Sequence, residues 1–181
     1  DNVYIDHPLS EYMQHYCYYR RHSRPEWRGL IANVPVYTIW DDHDFATNDS
    51  WGESGIEEPK WKRPVWNIYK QNWANPAYGG GEKQPGCWYD FYRGDVHFIM
   101  LDGRYYRTSP KLPESERSML GPVQLQWLKK TIANSKGTFK VICSPVPWTF
   151  KAKGGSPDTW NGYQKERNQI FDFLTEKKIE G

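Results

Sequence analysis

The sequence has no long apolar run, no block of like charge and no closely spaced cysteines. No segment reaches the run of about 18 apolar residues that a membrane-spanning helix needs. The 24 basic and 22 acidic side chains give a net charge of +2, which provides no argument for a nucleic-acid scaffold role or for a membrane surface as partner. The three cysteines form no Cys-x-x-Cys pair, so they decide neither the redox compartment nor zinc binding.

Aromatic residues are abundant instead. They make up 17% of the 181 residues and include ten Trp and thirteen Tyr. Large aromatic rings can stack on sugars. They can also fill a hydrophobic core, where the Tyr hydroxyl and the Trp indole N–H each still form a hydrogen bond. Core filling is the favoured interpretation, because a chain of this length can bury a sizeable core.

The most informative stretch is residues 34–49. Its first half is rich in Val, Tyr, Ile and Trp, which predicts a buried strand over residues 34–40. Its second half concentrates side chains that bind divalent or trivalent metals: Asp41, Asp42, His43, Asp44, Asn48 and Asp49. A polar turn that caps a following helix is the alternative. Repulsion between so many carboxylates argues against that alternative.

The rest of the sequence predicts an α/β fold. Residues 1–6 resemble the exit of a strand, and Ser10 begins a helical region that extends to residue 31. With the strand at 34–40, this order is typical of a parallel sheet with crossover helices. Further helices are predicted over residues 64–73, 121–135 and 163–178, a hairpin over 87–93 and 96–101, and a strand over 139–143. The long segment 49–86 is a candidate for holding substrate.

Two carboxylates are expected to meet at one edge of this sheet. Neighbouring parallel strands deliver their carboxyl ends to the same edge, so Asp1 and Asp42 could share a dinuclear metal centre. The phenolate of Tyr4 would be a hard ligand suited to ferric iron. His43 would face the substrate as a general acid, with Asp41 and Asp44 orienting its imidazole.

Several motifs, in the same order along the chain, resemble the PhoD-type alkaline phosphatase and phosphodiesterase family of the calcineurin-like metallophosphatases. The similarity extends over nearly the whole chain. The motifs are Asp1-Asn2-Val3-Tyr4, Trp40-Asp41-Asp42-His43-Asp44-Phe45 with Asn48-Asp49, Trp73-Ala74-Asn75-Pro76, Leu101-Asp102-Gly103-Arg104-Tyr105-Tyr106-Arg107 and Gln124-x-x-Trp127-Leu128-Lys129.

The resemblance implies a fold and an activity. The fold would be a four-layer sandwich of two mixed β-sheets flanked by helices, and residues 1–181 would form the central part of that single domain. The first and last metal motifs of the family are absent from these residues. Gly94-Asp95-Val96-His97 imitates the last motif, but it lies inside the predicted hairpin and is rejected. The activity would be metal-dependent phosphoester hydrolysis.

The resemblance also implies roles for individual residues. Asp1 corresponds to the bridging aspartate, Tyr4 to the iron-binding tyrosine and Asp42 to a ligand of the second metal. His43 corresponds to the histidine that contacts phosphate and protonates the leaving group.

Three further residues have less definite roles. Asn48 and Asp49 lie where the family keeps polar residues near the site, and they are candidates for substrate binding. Arg104 either contacts phosphate or forms a salt bridge with Asp102, and the salt bridge is favoured.

The expected cofactors are two or more metal ions, Fe³⁺ with Ca²⁺ or another divalent cation. The expected partner is a small or polymeric phosphoester, with monoesters and diesters both open, as is the oligomeric state. An extracytoplasmic location is expected from the resemblance. Two alternatives are a glycoside hydrolase that uses two carboxylates of residues 41–44, and an aromatic-rich binding module without catalysis.

Overall fold

The computed structural model describes residues 1–181 as a mixed α+β fold. Its helices are α1 (Glu11–His22), α2 (Pro25–Ile31), α3 (Asp42–Phe45), α4 (Lys62–Asn72), α5 (Gly121–Ala133) and α6 (Gln164–Glu176). Its strands are β1 (Tyr89–Arg93), β2 (Val96–Met100) and β3 (Phe139–Cys143). No helix combines the length and the apolar character that crossing a bilayer requires.

The strands form one mixed sheet in the order β1-β2-β3. Strands β1 and β2 are antiparallel and form the predicted hairpin, with Gly94 at a φ of +56° in the turn, where glycine has no steric penalty. Strand β3 is parallel to β2, and α5 lies between them in sequence. The chain therefore contains a single three-stranded sheet, whereas the resemblance implies two sheets.

The predicted helices are confirmed, with small differences at their ends. Ser10 caps α1, since its Oγ accepts a hydrogen bond from the amide of Met13 at 3.3 Å. A proline occupies the first turn of α2 and of α5, where a missing amide costs nothing.

The prediction of a strand over residues 34–40 is wrong. The backbone groups of Thr38 bond to side chains instead of to a neighbouring strand. Its amide donates to Oδ1 of Asn75 at 2.9 Å, and its carbonyl accepts from Nδ2 of Asn75 at 2.9 Å and from the hydroxyl of Tyr89 at 3.0 Å. Residues 1–6 likewise form no strand. The predicted strand-helix-strand order is therefore absent.

Two apolar clusters form the core, and aromatic rings fill much of both. The first includes Trp40, Trp66 and Tyr69, and the second includes Trp160 and Tyr163. The favoured interpretation of the aromatic content is thus confirmed for these rings. Helix α4 contributes to the first cluster, so this part of segment 49–86 serves the core rather than lying open to hold substrate.

The contacts of Asn75 predict a specific loss of stability. Asn75→Ala leaves the amide of Thr38 without its partner and removes a second hydrogen bond, so we expect the free energy of unfolding to fall by about 2–3 kcal/mol. Urea denaturation measures this change. Asn33→Ala is the control, because Asn33 is exposed and makes one bond to Gly29; its effect should stay within about 0.5 kcal/mol. Equal effects of the two variants would contradict the interpretation.

Candidate active site

Asp44 joins the beginning of the chain to helix α3. Its side chain is buried and accepts hydrogen bonds from the amides of Asn2 at 2.9 Å, Val3 at 2.7 Å and Asp41 at 3.1 Å. Burial raises the pKa of Asp44, and the amide of Asn2 opposes that shift only in part. The carboxylate thus fixes residues 1–3 against the start of α3.

This attachment brings Asp1 and Tyr4 to His43. The amide of His43 donates to Oδ1 of Asp1 at 3.3 Å, and the rings of Tyr4 and His43 have centroids 4.2 Å apart. The carbonyl of His43 accepts from the amides of Ile5 and Asp6. The beginning of the chain and the residues around His43 therefore lie together, as predicted, although neither segment follows a strand.

Asp6 orients the imidazole of His43. Oδ1 of Asp6 lies 2.6 Å from Nδ1 of His43, which leaves Nε2 as the ring nitrogen without a protein partner. The expectation that Asp41 and Asp44 orient this ring is wrong, because Asp41 pairs with Arg104 and Asp44 binds backbone amides. Sequence reasoning missed Asp6, because its contact with His43 spans 37 positions of the chain.

Arg104 is completely buried among carboxylates. Its Nε lies 2.6 Å from Oδ1 of Asp41, and its Nη1 lies 2.8 Å from Oδ1 of Asp158 and 2.9 Å from the carbonyl of Ser50. The favoured salt bridge with Asp102 is therefore wrong. With no exposed surface, the guanidinium positions carboxylates in this structure instead of meeting substrate.

Asp102 forms hydrogen bonds to neutral donors. It accepts from the indole Nε1 of Trp40 at 2.8 Å and from the amides of Cys87 at 2.8 Å, Arg104 at 2.8 Å and Tyr105 at 3.0 Å. These bonds satisfy a buried carboxylate without a salt bridge. They also attach the end of segment 34–40 to the polar turn that follows β2.

Asp42 is held in its ionised form by its neighbours. Burial opposes ionisation, but the guanidinium of Arg104 and the amide of Asp49 outweigh it, and the pKa of Asp42 lies below its ordinary value. The amide of Asp49 donates to Oδ2 of Asp42 at 2.7 Å, and the amide of His43 donates to Oδ1 at 3.1 Å. The side chains of Asn48 and Asp49 are exposed beside it.

Two groups of side chains have the geometry to hold a metal ion. The first is Asp1, Asp42 and His43, and the second is Asp42, Asp49 and Asp158; within each group the ligand atoms lie within 4.8 Å of one another. Asp42 belongs to both. Sequence reasoning missed Asp158, because nothing in the sequence around it indicates that it pairs with Arg104 far away along the chain.

The charges around the two groups differ. Asp158 in the second group already lies 2.8 Å from Arg104 and 2.9 Å from Arg107, so guanidinium groups occupy the positions that a cation would take. In the first group only Asp42 approaches a guanidinium, that of Arg104, at 3.9 Å. The donor set and the charge therefore favour a metal ion in the first group.

The rejected segment around His97 is structural. His97 lies in β2 and is buried, with Nδ1 2.8 Å from Oγ of Ser135 and Nε2 2.9 Å from Oδ2 of Asp90. Both ring nitrogens are thus engaged within the fold. His97 has no lone pair free for a metal, as its place in the hairpin predicts.

Carboxylates and a histidine gathered beside a mixed sheet are the kind of site that hydrolases use. The model of the PhoD-like phosphatase family matches residues 5–181. The chain therefore belongs to the PhoD-like phosphatase family, as the sequence motifs predict.

Individual relatives agree with this assignment. The chain is 24% identical over 197 residues to alkaline phosphatase D of Bacillus subtilis (strain 168), covering 94% of this chain and 33% of that protein. It is also similar to the solved structure of PhoD, with a TM-score of 0.73 and 19% identity over 93% of this chain and 37% of that one. The chain spans about a third of the length of the curated relative it matches.

The role of Asp44 can be tested by an isosteric change. Asp44→Asn replaces one of the two acceptor oxygens by an NH2 donor. Because Oδ1 serves the amide of Val3 and Oδ2 serves those of Asn2 and Asp41, one side loses its acceptor, and we expect the free energy of unfolding to fall by about 2–4 kcal/mol. Hydrogen exchange at the amide of Asn2 or Val3 should accelerate at the same time. Asp172→Asn, at an exposed position of α6, is the control and should change neither quantity. Unchanged exchange in Asp44→Asn would show that another contact holds residues 1–3.

Proposed function

We propose that the protein containing this chain is a metal-dependent phosphoester hydrolase and that its site is built on Asp1, Asp42 and His43. The convergence of these three side chains beside Tyr4 is the observation that carries the proposal. Membership of the PhoD-like phosphatase family supports it. Because the chain covers a third of its curated relative, the activity is proposed for the complete protein.

The residues present suit a hard or borderline cation. The two carboxylates of the first group, Asp1 and Asp42, are available as ligands. Tyr4 is exposed, and its ring lies 4.2 Å from that of His43, centroid to centroid. Asp1, Tyr4 and Asp42 would hold metal, with Fe³⁺ and Ca²⁺ or another divalent cation as the proposed ions. Bound metal ions would supply an activated water nucleophile and neutralise charge on the phosphoryl oxygens.

His43 is proposed to protonate the leaving group. With Nδ1 donating to the carboxylate of Asp6, Nε2 is the atom left to carry that proton. The contact with the ring of Tyr4 and the bond from its own amide to Asp1 fix the position of His43. Asp6 is therefore a positioning residue that acts through the imidazole.

The structure does not support the glycoside hydrolase alternative, which needs two free carboxylates among residues 41–44. Asp44 is buried beneath backbone amides and Asp41 is paired with Arg104, so neither offers a free carboxylate to a glycosidic bond. Only Asp42 remains of the three. The binding-module alternative is decided by the activity measurement below.

Three further predictions belong to this proposal. The three-stranded sheet would form part of the two-sheet, four-layer sandwich, with residues 1–181 as the central part of that domain. Asn48 and Asp49, exposed beside Asp42, would contact substrate. The extracytoplasmic location stays a prediction from the resemblance.

Removal of His43 should abolish most activity. In the full-length protein, His43→Ala should lower kcat/KM for 4-nitrophenyl phosphate or bis(4-nitrophenyl) phosphate by about 100-fold or more, the contribution of a positioned general acid. His15→Ala is the matched control, because His15 is exposed on α1, outside the site. Activity of His43→Ala within a few-fold of wild type would overturn the proposed role. Hydrolysis of neither ester by the wild type would favour the binding module.

Metal content separates the two groups of ligands. We expect Asp42→Asn to lower the metal bound per molecule of full-length protein, as measured by elemental analysis, because Asp42 belongs to the first group. Asp49→Asn, which affects only the second group, should leave the content unchanged. Asn also suits the positive φ of +56° at this position, so the variant is expected to fold. Equal losses in both variants would place the ion in the second group.

A further inference from the structure

An arginine-lined cleft opens beside the candidate active site, on the side of Tyr4. Its volume is about 200 Å³. Its lining residues come from the beginning of the chain, from α1 and from the start of α2: Asn2, Val3, Tyr4, Cys17, Arg20, Arg21 and Arg24. We call it the arginine cleft.

The three guanidinium groups of the arginine cleft have no acidic partner. None of Arg20, Arg21 and Arg24 lies within 4.0 Å of a carboxylate. Arg21 stacks over the ring of Trp27 at 4.0 Å, which engages a face of the guanidinium but leaves its N–H donors available. Elsewhere in the molecule Arg104 pairs with Asp41 and Asp158, and Arg107 pairs with Asp158. The arginine cleft is therefore a concentration of uncompensated positive charge.

Helix physics explains only part of this arrangement. Arg20 and Arg21 lie in the last turn of α1, where a helix favours cations. Arg24 is the N-cap of α2, where a cation is disfavoured, and it makes no side-chain capping bond. Three guanidinium groups around one small cleft also repel one another. A bound anion would relieve both costs.

The cleft and the candidate active site share a wall. Tyr4 lines the cleft, and its ring lies 4.2 Å from the ring of His43. Asn2 also lines the cleft and is fixed by Asp44. A ligand that occupies the arginine cleft therefore lies against Tyr4, whose ring packs on that of His43, and against Asn2, which Asp44 holds in place.

We infer that the arginine cleft binds a second phosphate of the substrate, separate from the phosphate that is hydrolysed. This inference rests on the proposed hydrolase function. Guanidinium groups recognise phosphate oxygens in a bidentate manner, and three of them line this cleft. Around His43 the neighbouring charges are instead carboxylates, those of Asp1, Asp6 and Asp42. An additional anionic group of the substrate would therefore bind in the arginine cleft. The preferred substrates carry two phosphates.

Two chromogenic substrates that differ by one remote phosphate test this inference. They are thymidine 5′-(4-nitrophenyl phosphate) and the same ester with an added 3′-phosphate. In the wild-type full-length protein, kcat/KM should be about 10-fold higher for the 3′-phosphorylated ester, the effect of one charge-assisted contact. This ratio should shrink as KCl is added. In Arg20→Gln/Arg24→Gln the ratio should fall to about one.

The control variant carries the same change in charge elsewhere. Arg28→Gln/Lys130→Gln removes two exposed cations outside the cleft and should keep the wild-type ratio. A wild-type ratio near one, or a ratio kept in Arg20→Gln/Arg24→Gln, would overturn the inference. A ratio lost equally in the control would show a general field effect and would overturn it too.

The proposed function can fail independently of the cleft. If the wild type hydrolyses neither nucleoside ester, calorimetric titration with thymidine 3′,5′-bisphosphate tests the cleft instead, and the hydrolase proposal itself falls only if 4-nitrophenyl phosphate is not hydrolysed either. Binding that weakens about 10-fold in Arg20→Gln/Arg24→Gln but not in the control would support a phosphate site there. Binding of equal strength in all three proteins, or no binding, would overturn it.

Discussion

The carboxylate of Asp44 is the interaction on which the rest of the site depends. It is buried, and it binds amides from both the beginning of the chain and the start of α3. The side-chain amide of Asn2, which donates to the carbonyl of Ile39 at 2.8 Å, and the amides of Ile5 and Asp6, which donate to the carbonyl of His43, support the same attachment. One acidic side chain with no direct part in the proposed chemistry thus helps to place three proposed functional side chains.

Several parts of this arrangement could be predicted from the sequence. The hairpin follows from apolar alternation around Gly94, and strand β3 at Phe139–Cys143 from its apolar run. The sequence also predicts the proximity of Asp1 to His43, but through strands at residues 1–6 and 34–40 that the structure does not contain. Residues 34–40 have strand composition, yet Asn75 and Tyr89 occupy the backbone groups of Thr38. Amino-acid composition indicates that a segment is buried, but it does not indicate which groups form hydrogen bonds with its backbone.

The contacts that sequence reasoning missed are all between distant parts of the chain. Asp6 reaches His43 across 37 positions, and Asp158 reaches Arg104 across 54. Neither separation leaves a periodic or local signal. The sequence identifies residues 41–44 as a charged group, but the contacts of each side chain depend on burial. Asp44 binds amides, Asp41 pairs with Arg104 and Asp42 lies beside His43.

Arg104 also connects the two apolar clusters. Asp41 follows Trp40 of the first cluster, and Asp158 lies close to Trp160 of the second, while one guanidinium binds both carboxylates. Opening either half would strand a buried charge in the other, at a cost of several kcal/mol. The two halves are therefore expected to unfold together, and disruption of the segment around Asp158 would reach Asp42, beside His43, through Arg104.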